Sequence, residues 1–350
     1  MKSRYINGRG AQQNTANHFS KNAFVKEHIE GIDEPEDIAP VRQIFVENAR
    51  GIVNKVNSPD LNLMYSMNPY QGCEHGCIYC YARNSHEYWG YSAGLDFESK
   101  IIVKKNAPIL LERHFQNKNW KPAPISLSGN TDCYQPLERE YKLTRQLLQV
   151  CLKYGNPVGI ISKNSLILRD LDILQDLAAE NLVHFYGSIT TIDEKLRQKM
   201  EPRTTTAANR FKVLKELSEA GIPTGVMMAP IIPGLNNYEI PQVLKRAAEH
   251  GAQNAGYNIV RLNGSIKILF DDWLRKNFPD RADKVWRQIC DVHGGTVNDS
   301  TWGRRMKGDG PVAEAIAQMF AVCKRRFFGT LSLPPYRLDK FRSNGNLTLF

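Results

Sequence analysis

A chain of 350 residues, 42% hydrophobic and 23% charged, has the composition of an ordinary globular protein and is long enough to bury one large core. It holds no apolar run of the ~18–20 residues that span a bilayer, and its polar, basic start at Met1–Gly10 lacks the apolar stretch of a secretory signal, so a cytoplasmic location is expected. Seven cysteines are an odd number and are not spread as a disulfide framework would be. The formal charge of +10 is uneven, with nine Lys/Arg against three Asp/Glu in the last fifty residues and seven of each in the first fifty.

Residues 1–60 lack sustained periodicity and read as an N-terminal extension, partly ordered near Val41–Val53. From Leu61 onward, strand-like and helix-like segments alternate. The pattern predicts a strand at Leu61–Met67, a strand at Lys100–Val103, a helix at Pro108–Phe115 and a strand at Ile125–Ser128. A helix follows at Glu138–Leu152, with Tyr141, Leu148 and Cys151 on one face. Then come a strand at Val158–Ser162, a helix at Leu171–Ala179, a strand at Val183–Ile189 and a helix at Ala207–Ala220 capped by Gly221. The strand Thr224–Met228, a helix at Glu239–His250 and the strand Ala255–Arg261 complete the series. Alternation of this kind argues for an α/β fold with a parallel sheet, as a whole or partial barrel whose chemistry sits at the C-terminal ends of its strands. The core therefore runs over residues 61–264. Residues 265–350 form a C-terminal region of helices (Ile266–Asn277, Arg281–Val292, and one bearing Ile316, Met319, Phe320 and Cys323) that ends in a basic, aromatic tail.

Cys73, Cys77 and Cys80 stand in Gly-Cys-Glu-His-Gly-Cys-Ile-Tyr-Cys, just after the first predicted strand of the core. Three thiolates at this Cys-x3-Cys-x2-Cys spacing can hold three corners of a cubane iron–sulfur cluster and leave one iron without a protein ligand. A zinc site is the alternative, and it would need His75 or His86 to complete the usual four ligands. Gly72 and Gly76 allow a tight loop.

At these residues the chain resembles the radical S-adenosylmethionine (SAM) enzymes, whose hallmark Cys-x3-Cys-x-aromatic-Cys is matched by Cys73, Cys77, Tyr79 and Cys80. The resemblance covers about Leu61 to Leu262. It implies a partial (β/α)6 TIM-like barrel and a [4Fe–4S] cluster held by the three cysteines. SAM would be bound at the fourth iron and cleaved by one electron to methionine and a 5′-deoxyadenosyl radical that abstracts hydrogen. Tyr79 would line the adenine pocket, and a reducing partner such as flavodoxin or ferredoxin is implied.

The predicted strand ends supply further candidates. Thr131 and Asp132 can accept from an ammonium group, Lys163 can pair with a carboxylate, Ser188 through Thr191 offer hydroxyls to a ribose, and Arg203 is a second carboxylate clamp. Their order resembles the spore photoproduct lyase (photolyase-like) branch, which implies that Thr131, Asp132, Lys163 and Ser188 contact SAM. One position departs from that branch: its hydrogen-donating cysteine falls at Gly129 here. Cys133 is the candidate substitute, either as a hydrogen-atom donor or as an inert small hydrophobe. A further match is to an uncharacterised radical SAM group sharing Asn-Thr-Asp-Cys-Tyr-Gln-Pro and Trp-Gly-Arg-Arg-Met. Cys151, Cys290 and Cys323 read as core.

Two signals lie outside this set. Ala229–Asn236, with prolines at 230 and 233, is expected to be a shaped loop rather than regular structure. Asn346–Phe350 resembles the short peptide with which bacterial repair proteins dock on a sliding clamp. The nearby Arg325, Arg326, Tyr336, Arg337, Phe341 and Arg342 suit a phosphate backbone and base stacking, so a nucleic-acid substrate in a DNA repair-like reaction is expected. The alternatives are a protein or small-molecule substrate, or a non-catalytic nucleic-acid-binding protein with a structural metal.

Overall fold

The structure is a computed structural model that describes residues 5–19, 41–61 and 64–343. In chain order the strands are β1 (Gln43–Val46), β2 (Val53–Lys55), β3 (Tyr65–Met67), β4 (Tyr70–Gln71), β5 (Lys100–Val103), β6 (Ile125–Leu127), β7 (Val158–Ser162), β8 (Val183–Ser188), β9 (Thr224–Ile231) and β10 (Asn254–Ile259). The helices are α1 (Leu95–Ser99), α2 (Ala107–Phe115), α3 (Glu138–Tyr141), α4 (Leu143–Tyr154), α5 (Leu171–Ala179), α6 (Glu194–Met200), α7 (Ala207–Glu219), α8 (Ile240–Glu249), α9 (Ile266–Asn277), α10 (Ala282–Asp291) and α11 (Gly310–Phe328).

Six strands, β3-β6-β7-β8-β9-β10, pair in parallel as one curved wall, and β2 adds an antiparallel edge beside β3. β10 and β2 are the two free edges, so the wall is an open, partial TIM-like barrel. Short runs of β-branched and aliphatic residues make these strands, and amphipathic helices cover their outer face. Val158, Ile160, Val183 and Phe185 face outward into a core shared with Leu147, Leu148, Leu174 and Leu177 of α4 and α5. The alternate residues face inward and are paired in register: Gly159 with His184, then Ile161 with Tyr186. Lys163 and Ser188 continue these inward rows to the C-terminal end of the wall.

The structure departs from the sequence pattern at several places. Lys100–Val103 is a strand, but it belongs to a separate small sheet ordered β1-β5-β4. The helix expected over Glu138–Leu152 breaks at Lys142, whose φ of +52° divides α3 from α4. β9 runs through Ala229 and Pro230 to Ile231, where a loop was expected. Proline is tolerated there because β8 pairs with β9 only as far as Met227 and the pairing of β10 with β9 is irregular at that level. Residues 41–60 are tied to the rest of the fold at two places, β1 beside β5 and β2 beside β3.

The basic tail seals the opposite end of the wall from the cysteines. Tyr336 stacks on His184 with ring centroids 3.9 Å apart, and the Arg337 and Arg342 amides donate to the Asn181 and Tyr154 carbonyls that precede β8 and β7. Phe341 packs edge-on against Phe115. These are the residues expected to stack on bases and track phosphates. Tyr336 and Phe341 are thus packed within the fold, while Arg325 and Arg326 are exposed on α11. The Asn346–Phe350 motif lies outside the described residues. Among the described residues, no helix is long and apolar enough to cross a membrane.

Candidate active site

The cysteine loop lies between β4 and the 3-10 turns of Tyr81–Trp89. Cys73 and Cys77 are buried and Cys80 nearly so, and burial pushes all three thiols up from their ordinary pKa. Such thiols stay protonated unless a cation takes them as thiolates. Arg83, fully buried, holds the loop's backbone: Nε donates to the Cys77 carbonyl at 2.9 Å and Nη2 to the Gly76 carbonyl at 3.0 Å. Its charge is met by Glu98, also buried, at 2.6 Å. The other side of the loop is held by Gln135, which accepts from the Glu74 amide at 3.0 Å and donates to the Gly72 carbonyl at 3.1 Å.

The N-terminal segment closes over this loop. The Gly10 and Ala11 amides donate to Glu98 at 3.3 and 2.8 Å. A Cβ on Gly10 would stand 1.8 Å from the Gly76 carbonyl oxygen, and one on Gly76, whose φ is +67°, would stand 2.7 Å from the Glu98 carboxylate. Only glycine permits either approach.

Of the two histidines that could complete a zinc site, His75 is engaged at both ring nitrogens. His75 Nδ1 lies 3.4 Å from Asp132 and Nε2 lies 3.0 Å from the Asn164 amide nitrogen. Asn164 Oδ1 accepts from the Leu166 amide, which fixes the Asn164 side chain, so His75 Nε2 is an acceptor and Nδ1 carries the proton. His86 is buried between Tyr91 and Phe97. Among the described residues, no three His, Cys, Asp or Glu side chains are gathered as a single ion would need. A cube of four irons makes no such demand, because each thiolate takes a different iron. Three thiols on a loop braced from both sides, with no fourth ligand beside them, fit that group.

The strand-end candidates divide into two classes. Asp132 accepts from Ser162 Oγ at 2.8 Å, from the Tyr134 and Lys163 amides at 2.9 Å each, and from His75. Burial opposes its charge, but His75 and the two amides prevail and hold its pKa at about 2. Three hydrogen bonds and the 3.4 Å approach of His75 therefore hold this carboxylate within the chain. Thr131 is likewise turned inward, donating to the Tyr70 carbonyl at 2.7 Å. Arg203 donates to the Gly8 carbonyl at 3.1 Å and approaches Glu98, on the side of the N-terminal segment. Cys133 is fully buried in the main apolar core beside Leu127 and Leu147. A Cβ on Gly129 would stand 2.6 Å from Ser66 Cβ, so this backbone does not accept a cysteine at that position either.

Lys163 and Ser188 form the second class. Lys163 Nζ donates to Ser188 Oγ at 2.8 Å and stands 5.9 Å from the Tyr79 ring centre. Among the described residues it has no carboxylate partner: nearby Glu201 is already paired with the buried Arg210. Burial works against the Glu201 charge, but Arg210 and then Lys163 outweigh it and hold its pKa at about 2. Tyr79 donates its hydroxyl to Glu201 and lies 3.2 Å from Thr190 Oγ1, which leaves its ring as one wall beside Lys163. Sequence reasoning missed Arg83, Glu98, Arg210 and Tyr81, whose hydroxyl donates to the Gly129 carbonyl at 2.6 Å. Only Tyr81, directly after Cys80, carries a positional signal.

Comparison with known protein families matches residues 67–247 to the radical SAM superfamily. The chain belongs to that superfamily. Members of the superfamily use a [4Fe–4S] cluster and SAM. The chain is 31% identical over 238 residues to an uncharacterized protein of Mycobacterium tuberculosis, covering 67% of this chain and 70% of that one. It is 32% identical over 244 residues to an uncharacterized protein of Methanocaldococcus jannaschii, with 69% and 86% covered. A solved mutant of spore photoproduct lyase shares the fold with a TM-score of 0.59 at 15% identity, covering 82% of this chain and 80% of that one. The same lyase complexed with dinucleoside spore photoproduct gives 0.58 at 14%.

Proposed function

We infer that this radical SAM enzyme abstracts hydrogen from a nucleoside-containing substrate, with Cys73, Cys77 and Cys80 as cluster ligands and Lys163 and Ser188 as the chain's contacts to SAM. The observation that carries the seat for SAM is the ammonium of Lys163, directed past the Tyr79 ring and left without a carboxylate of its own. A reduced [4Fe–4S] cluster, when bound, supplies the electron that cleaves the SAM sulfonium. Lys163 then serves to take the carboxylate of the amino-acid moiety in a charge-assisted hydrogen bond. Ser188, which accepts from Lys163, directs that ammonium and keeps its own proton for a second contact. Asp132 and Thr131 act behind them as positioning residues, since Asp132 fixes the Lys163 amide and, through His75, the loop between Cys73 and Cys77. Arg83 and Glu98 hold the loop backbone, and Tyr79 helps to exclude water.

The nucleoside reading is supported by the shared fold with a lyase solved in complex with a dinucleoside, and by the formal charge of +10. It does not draw on the tail, whose aromatic residues are spent in packing. Repair that returns hydrogen from a strand-end thiol is not part of the proposal, because Gly129 has no room for a thiol and Cys133 is in the core.

Anaerobic reconstitution tests both halves. About four irons and four sulfides per chain are expected, with 5′-deoxyadenosine released on addition of dithionite and SAM. Deuterium should pass from a deuterated oligonucleotide into that product. Release without transfer from DNA or RNA would leave the enzyme class standing and overturn the substrate. Stoichiometric zinc with no SAM cleavage would overturn the cluster assignment.

A further inference from the structure

The open side of the barrel is crossed by one segment, residues 299–306. At one end the Ile259 amide, on edge strand β10, donates to the Met306 carbonyl at 2.9 Å. At the other, the Gly303 amide and the Arg305 guanidinium reach Asp60, and Arg305 also reaches Ser58, in the connection between β2 and β3. The segment therefore ties the two free edges of the wall together, and Trp302 stands on its outer surface, 52% exposed. Arg305 lies over the Trp302 ring, 3.8 Å from its centre, which leaves the other face of the indole to solvent.

Arg261 follows β10 by two residues. Its neighbours Val260 and Leu262 are buried in the same apolar cluster as Cys77 and Tyr79. The Arg261 side chain reaches the crossing segment at Met306. Its Nη1 donates to Met306 Sδ at 3.7 Å, and its Nε is buried with no partner among the described residues. The carboxylates within reach are already paired, Asp60 with Arg305 and Asp299 with Arg304. A guanidinium whose direct hydrogen bond among the described residues goes to a thioether, with Asp60 and Asp299 near but paired elsewhere and a buried N–H left unmade, is suited to an anion that completes it.

We propose that Arg261 and Trp302 form a substrate subsite for single-stranded nucleic acid, with Arg261 taking a backbone phosphodiester and Trp302 stacking on an adjacent base. This deepens the nucleoside reading above and rests on it. A guanidinium offers two N–H groups to one phosphate, and a half-exposed indole offers a face to any base. The subsite is on the side where the wall is open, beside the apolar cluster that carries the cysteine loop. It accounts for Trp-Gly-Arg-Arg-Met as one unit: Trp302 presents, Arg305 supports the indole and anchors the segment to Asp60, and Met306 holds Arg261.

The test is fluorescence anisotropy of the reconstituted full-length enzyme with a short labelled DNA single strand at several salt concentrations. Arg261→Gln should weaken binding about five-fold, by the same factor for different sequences, and reduce the slope of log K against log salt by about 0.7, the single-strand value for one phosphate. Arg261→Lys should keep the wild-type slope. Trp302→Ala should weaken binding about ten-fold with the slope unchanged. Thermal melting of each variant identifies any that fail to fold, and the exposed Trp302 provides a readout if Arg261→Gln does. Wild-type affinity and slope in Arg261→Gln, or wild-type affinity in Trp302→Ala, overturns the subsite while leaving the nucleoside reading intact. If the wild-type enzyme binds no strand at any salt, both fall.

Discussion

At the C-terminal end of the barrel wall the chain places Lys163, Ser188, Asp132, His75 and the cysteine loop. At the other end, on the same inward face, it places Gly159, His184 and Tyr336. The lower residues satisfy one another: His184 shares a hydrogen bond with the Pro334 carbonyl at 2.8 Å while its ring carries Tyr336. The upper set is held largely by hydrogen bonds among its own groups. Asp132 is hydrogen-bonded within the chain and Arg83 is fully engaged, yet among the described residues Lys163 has no carboxylate partner. A floor closed by its own packing and a rim that presents the Lys163 ammonium are the contrast on which the proposed seat for SAM rests. The same reasoning explains why polar residues alone do not identify a site, since most of those at the rim serve the loop and not a ligand.

Three substitutions would break or sharpen this contrast. Tyr336→Ala should cost about 3 kcal/mol of stability, visible as a lower melting temperature, because it opens the floor under His184. The 5′-deoxyadenosine formed per folded, cluster-loaded chain should stay at the wild-type value. If SAM cleavage fell in step with stability, the two ends would not be separable. Lys163→Met should act in the opposite sense, with iron and sulfide content retained and the Kd for SAM raised about ten- to a hundred-fold, the range for one charge-assisted hydrogen bond. Unchanged SAM affinity would remove Lys163 from the seat.

Asp132→Asn should have the smallest effect at neutral pH and the most distinctive pH signature. The folded pKa of about 2 lies below the ordinary value of 3.8, so the carboxylate's contribution is complete above about pH 4 and fades as pH falls through 2. That depression corresponds to about 2 kcal/mol, which chemical denaturation of the wild type should lose across this window. The variant should be less stable at pH 7 and lack the transition.

The parts legible in the sequence were those written in neighbouring residues. Cys73, Cys77, Tyr79 and Cys80 lie within eight positions of one another, and the strands of the wall are runs such as Val158–Ser162 whose alternation needs no partner to be seen. Lys163 and Ser188 were legible because each directly ends or follows such a run. The partners of Asp132 were not legible, since they come from the cysteine loop, β7 and its own turn. Tyr336 and Phe341 read equally well as base-stacking or packing residues until His184 and Phe115 are seen beside them. Cys133 differs from a reactive thiol only in what surrounds it. Pro230 stands in a strand because of a pairing irregularity in β10, which nothing near residue 230 announces.

The stacking of Tyr336 on His184 also bears on the order in which the molecule is completed. Every group at the rim, from Gly10 to Arg210, has been synthesised long before residue 336 emerges from the ribosome. The floor is laid last, and its contacts span about 150 residues of sequence. A nascent chain that has finished its cofactor seat is still open to water from beneath. Early termination just short of the tail would therefore yield a chain with an intact rim over an unsealed interior, a form that cell quality control would meet as a nearly finished enzyme.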